Sequence, residues 1–134
     1  MIVVDTNVIA YFFIEGEKTA QAREVRRRDP HWCAPALWRH EYLNVLATYV
    51  RAGGAALDDA RVLWRQGLDL LASAEQDVGM EAALTLTTQH RISAYDAQYV
   101  ALARQLQIVC VTEDKGLLAA FPTLTQTMRG FLGQ

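Results

Sequence analysis

The 134 residues carry 13 Lys and Arg against 15 Asp and Glu, a formal net charge of -2, with 51% hydrophobic residues. A chain of this size and makeup fits one domain over residues 1–134 that buries roughly two-thirds of its unfolded surface, which excludes disordered and fibrous classes. The slight acidity excludes attraction to nucleic acid through a global basic field, and no apolar run approaches the roughly 20 residues of a membrane span.

Met1-Ile2-Val3-Val4-Asp5 lacks the basic flank and long apolar stretch of an export signal, so a cytoplasmic protein is expected. Ile2–Val4 is a short apolar run that stops at Asp5-Thr6-Asn7, residue types that cap helices. Val8–Ile14 is predicted as a helix bearing the cluster Tyr11, Phe12 and Phe13, and Gly16 breaks it. An arginine-rich helix over Lys18–Arg28 ends before Pro30, because a residue preceding proline avoids helical geometry. His31–Ala34 is a second short strand, and Pro35 opens a helix reaching about Ala52, where Gly53-Gly54 stops it. Ala56–Leu71 is helical, with an extended piece near Leu71–Ser73, and Val78–His90 is helical again. Ser93 caps a helix over Ala94–Leu106, and Ile108–Thr112 is the clearest strand. Lys115–Ala120 forms a short helix after it, and Leu124–Thr127 a final edge strand. Short apolar strands alternating with helices predict an α/β layer fold with a mostly parallel, buried sheet. Such folds take ligands beyond the carboxyl ends of their strands.

Two apolar strands end in carboxylates, Val3-Val4-Asp5 and Val111-Thr112-Glu113-Asp114. In a parallel sheet both ends reach one rim, so Asp5 and Asp114 can meet there; each also precedes a helix, and capping explains each acid equally well. Asp96 falls inside the apolar stripe of Tyr95, Tyr99, Leu102 and Leu106, where an ionised carboxylate is costly unless paired or bound to a metal. Ser93-Ala94-Tyr95-Asp96 also approximates a capping box. Glu41 borders a polar arc of His40, Asn44, Thr48 and Arg51, and periodicity alone makes it a residue of a solvated edge. Carboxylates gathered on one rim would repel one another, and a hard divalent cation removes that conflict. One or two such ions can activate water against a phosphodiester, so the acids favour phosphoryl transfer over acyl transfer.

Ile2-Val3-Val4-Asp5-Thr6-Asn7, Glu41 on a helix, Ser93-Ala94-Tyr95-Asp96-Ala97 and Val111-Thr112-Glu113-Asp114-Lys115, in that order, resemble PIN-domain proteins, and within them VapC-type toxins of bacterial toxin–antitoxin pairs. The resemblance covers nearly the whole chain. It implies a three-layer α/β/α sandwich and Mg²⁺- or Mn²⁺-dependent RNA cleavage by activated water. Asp5, Glu41 and Asp96 match the family's metal-binding acids, and Asp114 its more variable fourth acid. Thr6, Asn7 and Thr112 match its supporting polar residues. Glu113 is an additional acid expected to point outward. The family further implies an RNA substrate, a cognate antitoxin covering the site and a homodimer. Tyr11, Phe12 and Phe13 are candidates for the antitoxin groove, with core packing as the other reading.

Arg23, Arg26 and Arg27 share one helical face, which suits phosphate contacts or a solvated surface. His31, His40 and His90 have no ligand spacing. Trp32, Trp38 and Trp64 are expected in the interior rather than stacked on bases. Cys33 and Cys110 lie in apolar stretches and are expected as buried free thiols. Phosphoaspartate phosphatases also begin from an Asp after a first apolar strand, but they need a second Asp two residues on, where this chain has Asn7. A PIN fold retained as an inactive RNA- or protein-binding module is the remaining alternative, and the intact set of four acids argues against it.

Overall fold

A computed structural model describes residues 1–134. The sheet contains β1 (Ile2–Val4), β2 (Trp32–Pro35), β3 (Glu75–Gln76), β4 (Cys110–Val111) and β5 (Thr125–Gln126) in the order β3-β2-β1-β4-β5. Every neighbouring pair is parallel. The helices are α1 (Thr6–Phe13), α2 (Thr19–Arg28), α3 (Trp38–Arg51), α4 (Leu57–Leu71), α5 (Met80–Gln89), α6 (Ala94–Leu106), α7 (Lys115–Ala120) and α8 (Met128–Phe131). From central β1 the chain winds outward to β3, then returns across the sheet to β4 and β5. Right-handed crossovers place α1–α4 on one face and α5–α7 on the other, the expected α/β/α layering. The strand order reverses between β1 and β4, and in such sheets that reversal opens a crevice at the carboxyl edge.

Helices cover both faces of the sheet, and the residues of its central strands are accordingly apolar and buried: Ile2, Val3, Val4, Cys33, Ala34, Cys110 and Val111. The two thiols are free and buried, as expected. Burial pushes Cys33 up to about 11 and Cys110 well above an ordinary thiol, so neither is a ready nucleophile. Trp32 and Trp38 are buried and Trp64 stacks on Trp38 at 6.1 Å, so all three serve packing. Gly67 lets α4 approach α3 closely, since a Cβ there would lie 2.7 Å from the Tyr42 ring.

Several expectations need correction. Helix α1 begins at Thr6, because Asp5 itself is its cap. Pro35 ends β2 rather than opening α3: its missing N–H matters little at a strand end, and its neighbour Gln76 belongs to an edge strand of two residues. The expected extended piece at Leu71–Ser73 is the end of α4 followed by a 3₁₀ turn over Ala72–Ala74, and the strand comes later at Glu75–Gln76. That strand carries two acidic or amide side chains and no apolar run, so nothing in its composition marks it. Tyr95 is 65% exposed whereas Tyr99 is fully buried, because packing of α6 begins at Ala97. Helix α8 was not expected. It is held by Thr127 as its cap and by Glu113, which accepts from the Met128 N–H at 3.1 Å and pairs with Lys18 at 3.5 Å. Glu113 therefore folds inward as a tether instead of pointing outward.

Candidate active site

The candidate acids come from four different elements. Asp5 follows β1 and caps α1, Glu41 lies in the first turn of α3, Asp96 in the first turn of α6, and Asp114 caps α7. Each thus stands at a helix N-terminus, whose partial positive charge favours a carboxylate by roughly 0.3–1 kcal/mol. Capping and a shared site, which looked like rival explanations, are both realised. All four line one cavity of about 210 Å³ together with Thr6, Asn7, Asn44 and Val45. It sits at the strand reversal beside β1 and β4.

The register explains the innermost acid. Val4 pairs with Val111, which brings Asp5 beside Thr112 one step further along. The Thr112 hydroxyl donates to Asp5 Oδ2 at 2.6 Å and accepts from the Asp114 N–H at 3.0 Å, so a single side chain links two of the acids. Asp5 Oδ1 accepts from the Thr6 N–H at 2.7 Å. Asp5 is only 6% exposed. Burial pushes its pKa up to about 6; the bonds from Thr112 and Thr6 oppose that rise, while the charges of Glu41 and Asp96 add to it. Asp96 is also shifted upward, first by burial, then by the negative charges of Asp114 and Glu41. Its own N–H is capped by Ser93 Oγ at 3.0 Å. Asp114 Oδ1 accepts from the Leu117 N–H at 2.9 Å, leaving Oδ2 without that duty.

Glu41 departs furthest from its sequence reading. Its Oε1 accepts from the Tyr99 hydroxyl at 2.6 Å and lies 3.0 Å from the Thr6 hydroxyl. Periodicity on α3 alone could not reveal this, because both partners come from elements distant in sequence. By periodicity Tyr99 is only a member of the apolar stripe. The usable signal was its place one turn after Asp96, with a phenol oxygen that needs a partner once buried.

The arginines lie elsewhere. Arg23 pairs with Glu15 at 3.1 Å, Arg27 pairs with Glu24, and Arg26 stands 5.6 Å from the centre of the Trp32 ring. Helix α2 ends at Asp29, which binds the Met1 amino group at 2.9 Å, so its Arg26–Arg28 end lies at the amino edge of the sheet, opposite the acids. Of the aromatic cluster, Phe12 packs edge-on against Trp32 at 5.4 Å and Phe13 meets Tyr42 at 6.0 Å. Tyr11 lies under Lys18 at 5.0 Å and lines a cleft that shares Val45 with the acidic cavity.

Known proteins share this architecture. The chain is 29% identical over 127 residues to ribonuclease VapC3 of Pyrobaculum aerophilum, covering 92% of this chain and 96% of that protein. Among solved structures it is similar to FitAcB from Neisseria gonorrhoeae, with a TM-score of 0.72 and 20% identity, covering 96% of this chain and 98% of the other. A toxin–antitoxin complex from Klebsiella pneumoniae gives a TM-score of 0.68 at 15% identity, again covering 96% and 98%. At those identities the two structures establish the fold. Residues 2–121 match the PIN domain, a span that runs from β1 through the end of α7 and contains all four acids; the chain belongs to the PIN-domain family.

Proposed function

We propose that this protein is a Mg²⁺- or Mn²⁺-dependent endoribonuclease acting in the cytoplasm as the toxin of a toxin–antitoxin pair. In this reading residues 1–134 act as one nuclease domain, and Asp5, Glu41, Asp96 and Asp114 hold the metal. The observation that carries it is the convergence of four carboxylates, from four elements, on one polar cavity at the strand reversal. The kinship with a ribonuclease VapC supports the substrate class.

The donor set fits a hard divalent ion. All candidate ligands are oxygens, and both Asp5 and Asp96 are pushed upward by burial and by neighbouring negative charge, which a cation would offset. As placed, no three of the His, Cys, Asp and Glu side chains form a group that could hold a metal ion, so the reading rests on the shared cavity and its oxygen donors. When bound, such an ion supplies an acidified water and positive charge for the departing oxygen. The chain's own groups do the positioning. Thr112 and the Thr6 N–H each hold one oxygen of Asp5. The Leu117 N–H holds one oxygen of Asp114. The amides of Asn7 and Asn44 line the same cavity and offer N–H donors to a phosphate oxygen.

The test is product chemistry. Protein purified free of antitoxin should cut a structured RNA at few positions, and EDTA should stop it. Attack by water with departure of the 3′ oxygen yields 5′-phosphate and 3′-hydroxyl ends. Cyclic phosphates, or full activity in EDTA, would overturn the mechanism. Folded protein that binds RNA without cutting it at any metal concentration would instead make the chain an inactive binding module.

Family membership and the surface support the partner readings. A cognate antitoxin has apolar ground beside the acidic cavity, in the clefts lined by Tyr11 and Val45 and by Phe13, Tyr49 and Val62. For a homodimer, exposed Met80 and Leu84 present apolar surface one turn apart on α5. For the arginines, the ion pairs of Arg23 with Glu15 and of Arg27 with Glu24 favour a solvated face. Replacing Arg23, Arg26 and Arg27 with Gln is expected to leave the salt dependence of RNA binding unchanged. A slope flatter by roughly 0.7 per substitution would return them to phosphate contact.

A further inference from the structure

Behind the four acids lies a buried triangle of oxygens that the proposed chemistry does not require. Thr6 Oγ1, Tyr99 OH and Glu41 Oε1 are separated by 2.5 Å, 2.6 Å and 3.0 Å. Two hydroxyl protons serve these three contacts, so only two can be hydrogen bonds at once. With Glu41 ionised, its oxygen only accepts. The shorter contact to Glu41 belongs to Tyr99, which leaves the Thr6 hydroxyl free to donate to the Tyr99 oxygen. The result is a chain running Thr6 to Tyr99 to Glu41.

We propose that Tyr99 is a positioning residue for the metal site: by holding Oε1 of Glu41 it turns Oε2 toward the cavity. This rests on the reading of Glu41 as a metal-binding acid. Three features support it beyond ordinary satisfaction of a buried phenol. The ring is immobilised, being fully buried in the main core on the best-packed part of α6. The hydroxyl takes no backbone carbonyl, unlike that of Tyr42, which donates to the Leu63 carbonyl at 2.9 Å. It meets the one acid whose helix, α3, is neither next to β1 nor next to β4 in sequence, so that Glu41 is tied to the Asp5 and Asp96 side of the cavity through α6. A hydrogen bond to a ligand's second oxygen fixes the ligand's orientation and raises the site's affinity, and its loss costs roughly 10-fold or more in metal binding.

The experiment measures Mn²⁺ binding to the whole protein, by the loss of the free-ion paramagnetic resonance signal, alongside cleavage across a Mn²⁺ series. Tyr99→Phe should weaken Mn²⁺ binding about 10-fold and shift half-saturating Mn²⁺ for cleavage by the same factor, with kcat at saturating metal much less affected. Tyr42→Phe removes the hydroxyl of an equally buried residue away from the cavity, so it should lower stability but leave Mn²⁺ affinity unchanged. In a Glu41→Gln background, Tyr99→Phe should add almost nothing to the loss of affinity. If Tyr99→Phe does not fold, Thr6→Val carries the test, because it removes the hydroxyl behind the chain and should weaken Mn²⁺ binding measurably. Wild-type affinity in the variant that folds overturns the positioning role and leaves the metal reading intact. A wild-type protein that binds no Mn²⁺ overturns both.

Discussion

Asp5→Asn and Asp96→Asn are each expected to reduce RNA cleavage by at least ~10²-fold at saturating Mg²⁺ or Mn²⁺, a loss of the size seen when a single transition-state stabilising group is removed. Both substitutions keep shape and remove charge. At position 5 the amide oxygen can still accept from the Thr6 N–H, and the Thr112 hydroxyl can turn to accept from the new NH₂ group. At position 96 the cap runs from the backbone N–H to Ser93, so it survives the change. The fold therefore persists while the negative charge facing the cavity falls. Asp114→Asn should be milder. One of its oxygens already serves the Leu117 N–H, a duty that asparagine performs as a cap, and its amide oxygen still accepts a hydrogen bond from water. The ordering is read from initial rates on one labelled RNA across a metal series. More than a tenth of wild-type activity in either Asp5→Asn or Asp96→Asn would remove that residue from the metal-binding set.

The parts of this site that local sequence could express were legible. Asp5 and Asp114 stand where apolar strands stop, and Asp96 follows a Ser cap and falls within the apolar stripe of its own helix; each is a short-range pattern. Their meeting followed from a parallel sheet and its strand reversal, so convergence at one edge was a matter of topology. Glu41 is the opposite case. Its neighbours on α3 are polar, and what distinguishes it is contact with Thr6 and Tyr99, which are 35 and 58 residues away. No periodicity on one helix encodes such a contact; only the family pattern singled Glu41 out. Strand β3 and helix α8 were illegible for a related reason. Glu75 is held by Trp38 and Arg39, and α8 by Glu113, so tertiary bonds rather than local propensity fix both segments. The arginines leave both of their readings open at the level of sequence, because a charged face near the start of the chain does not say which edge of the sheet it will occupy.

Metal-free Asp5→Asn is expected to be more stable than the wild type at neutral pH and indistinguishable from it near pH 4. Asp5 is almost wholly buried, and burial pushes its pKa from the ordinary 3.8 up to about 6. Below the unfolded value both states hold the proton, and Asp5 imposes no penalty. As pH rises toward 6 the unfolded chain gives up its proton while the native state keeps it, so native stability falls with rising pH. Above 6 the native state carries the buried charge and the penalty is complete. A shift of about two units corresponds to about 3 kcal/mol, or on the order of 10 °C in Tm. Asp96 is shifted in the same direction and steepens the loss. Groups shifted the other way, such as Glu75 beside Arg39, gain stability over the acid range. The informative quantity is therefore the difference between wild type and variant, in which those groups cancel. Asparagine carries no charge to bury, so the difference should open from about pH 4 to 6 and then stay constant. Divalent metal should close it from the other side, stabilising the wild type by binding its native state and acting far less on the variant. Thermal melts in EDTA at a series of pH values check this. A wild type that is the more stable protein at pH 7, or a difference that does not change with pH, would mean that Asp5 is not held at a cost to the fold for the sake of the site.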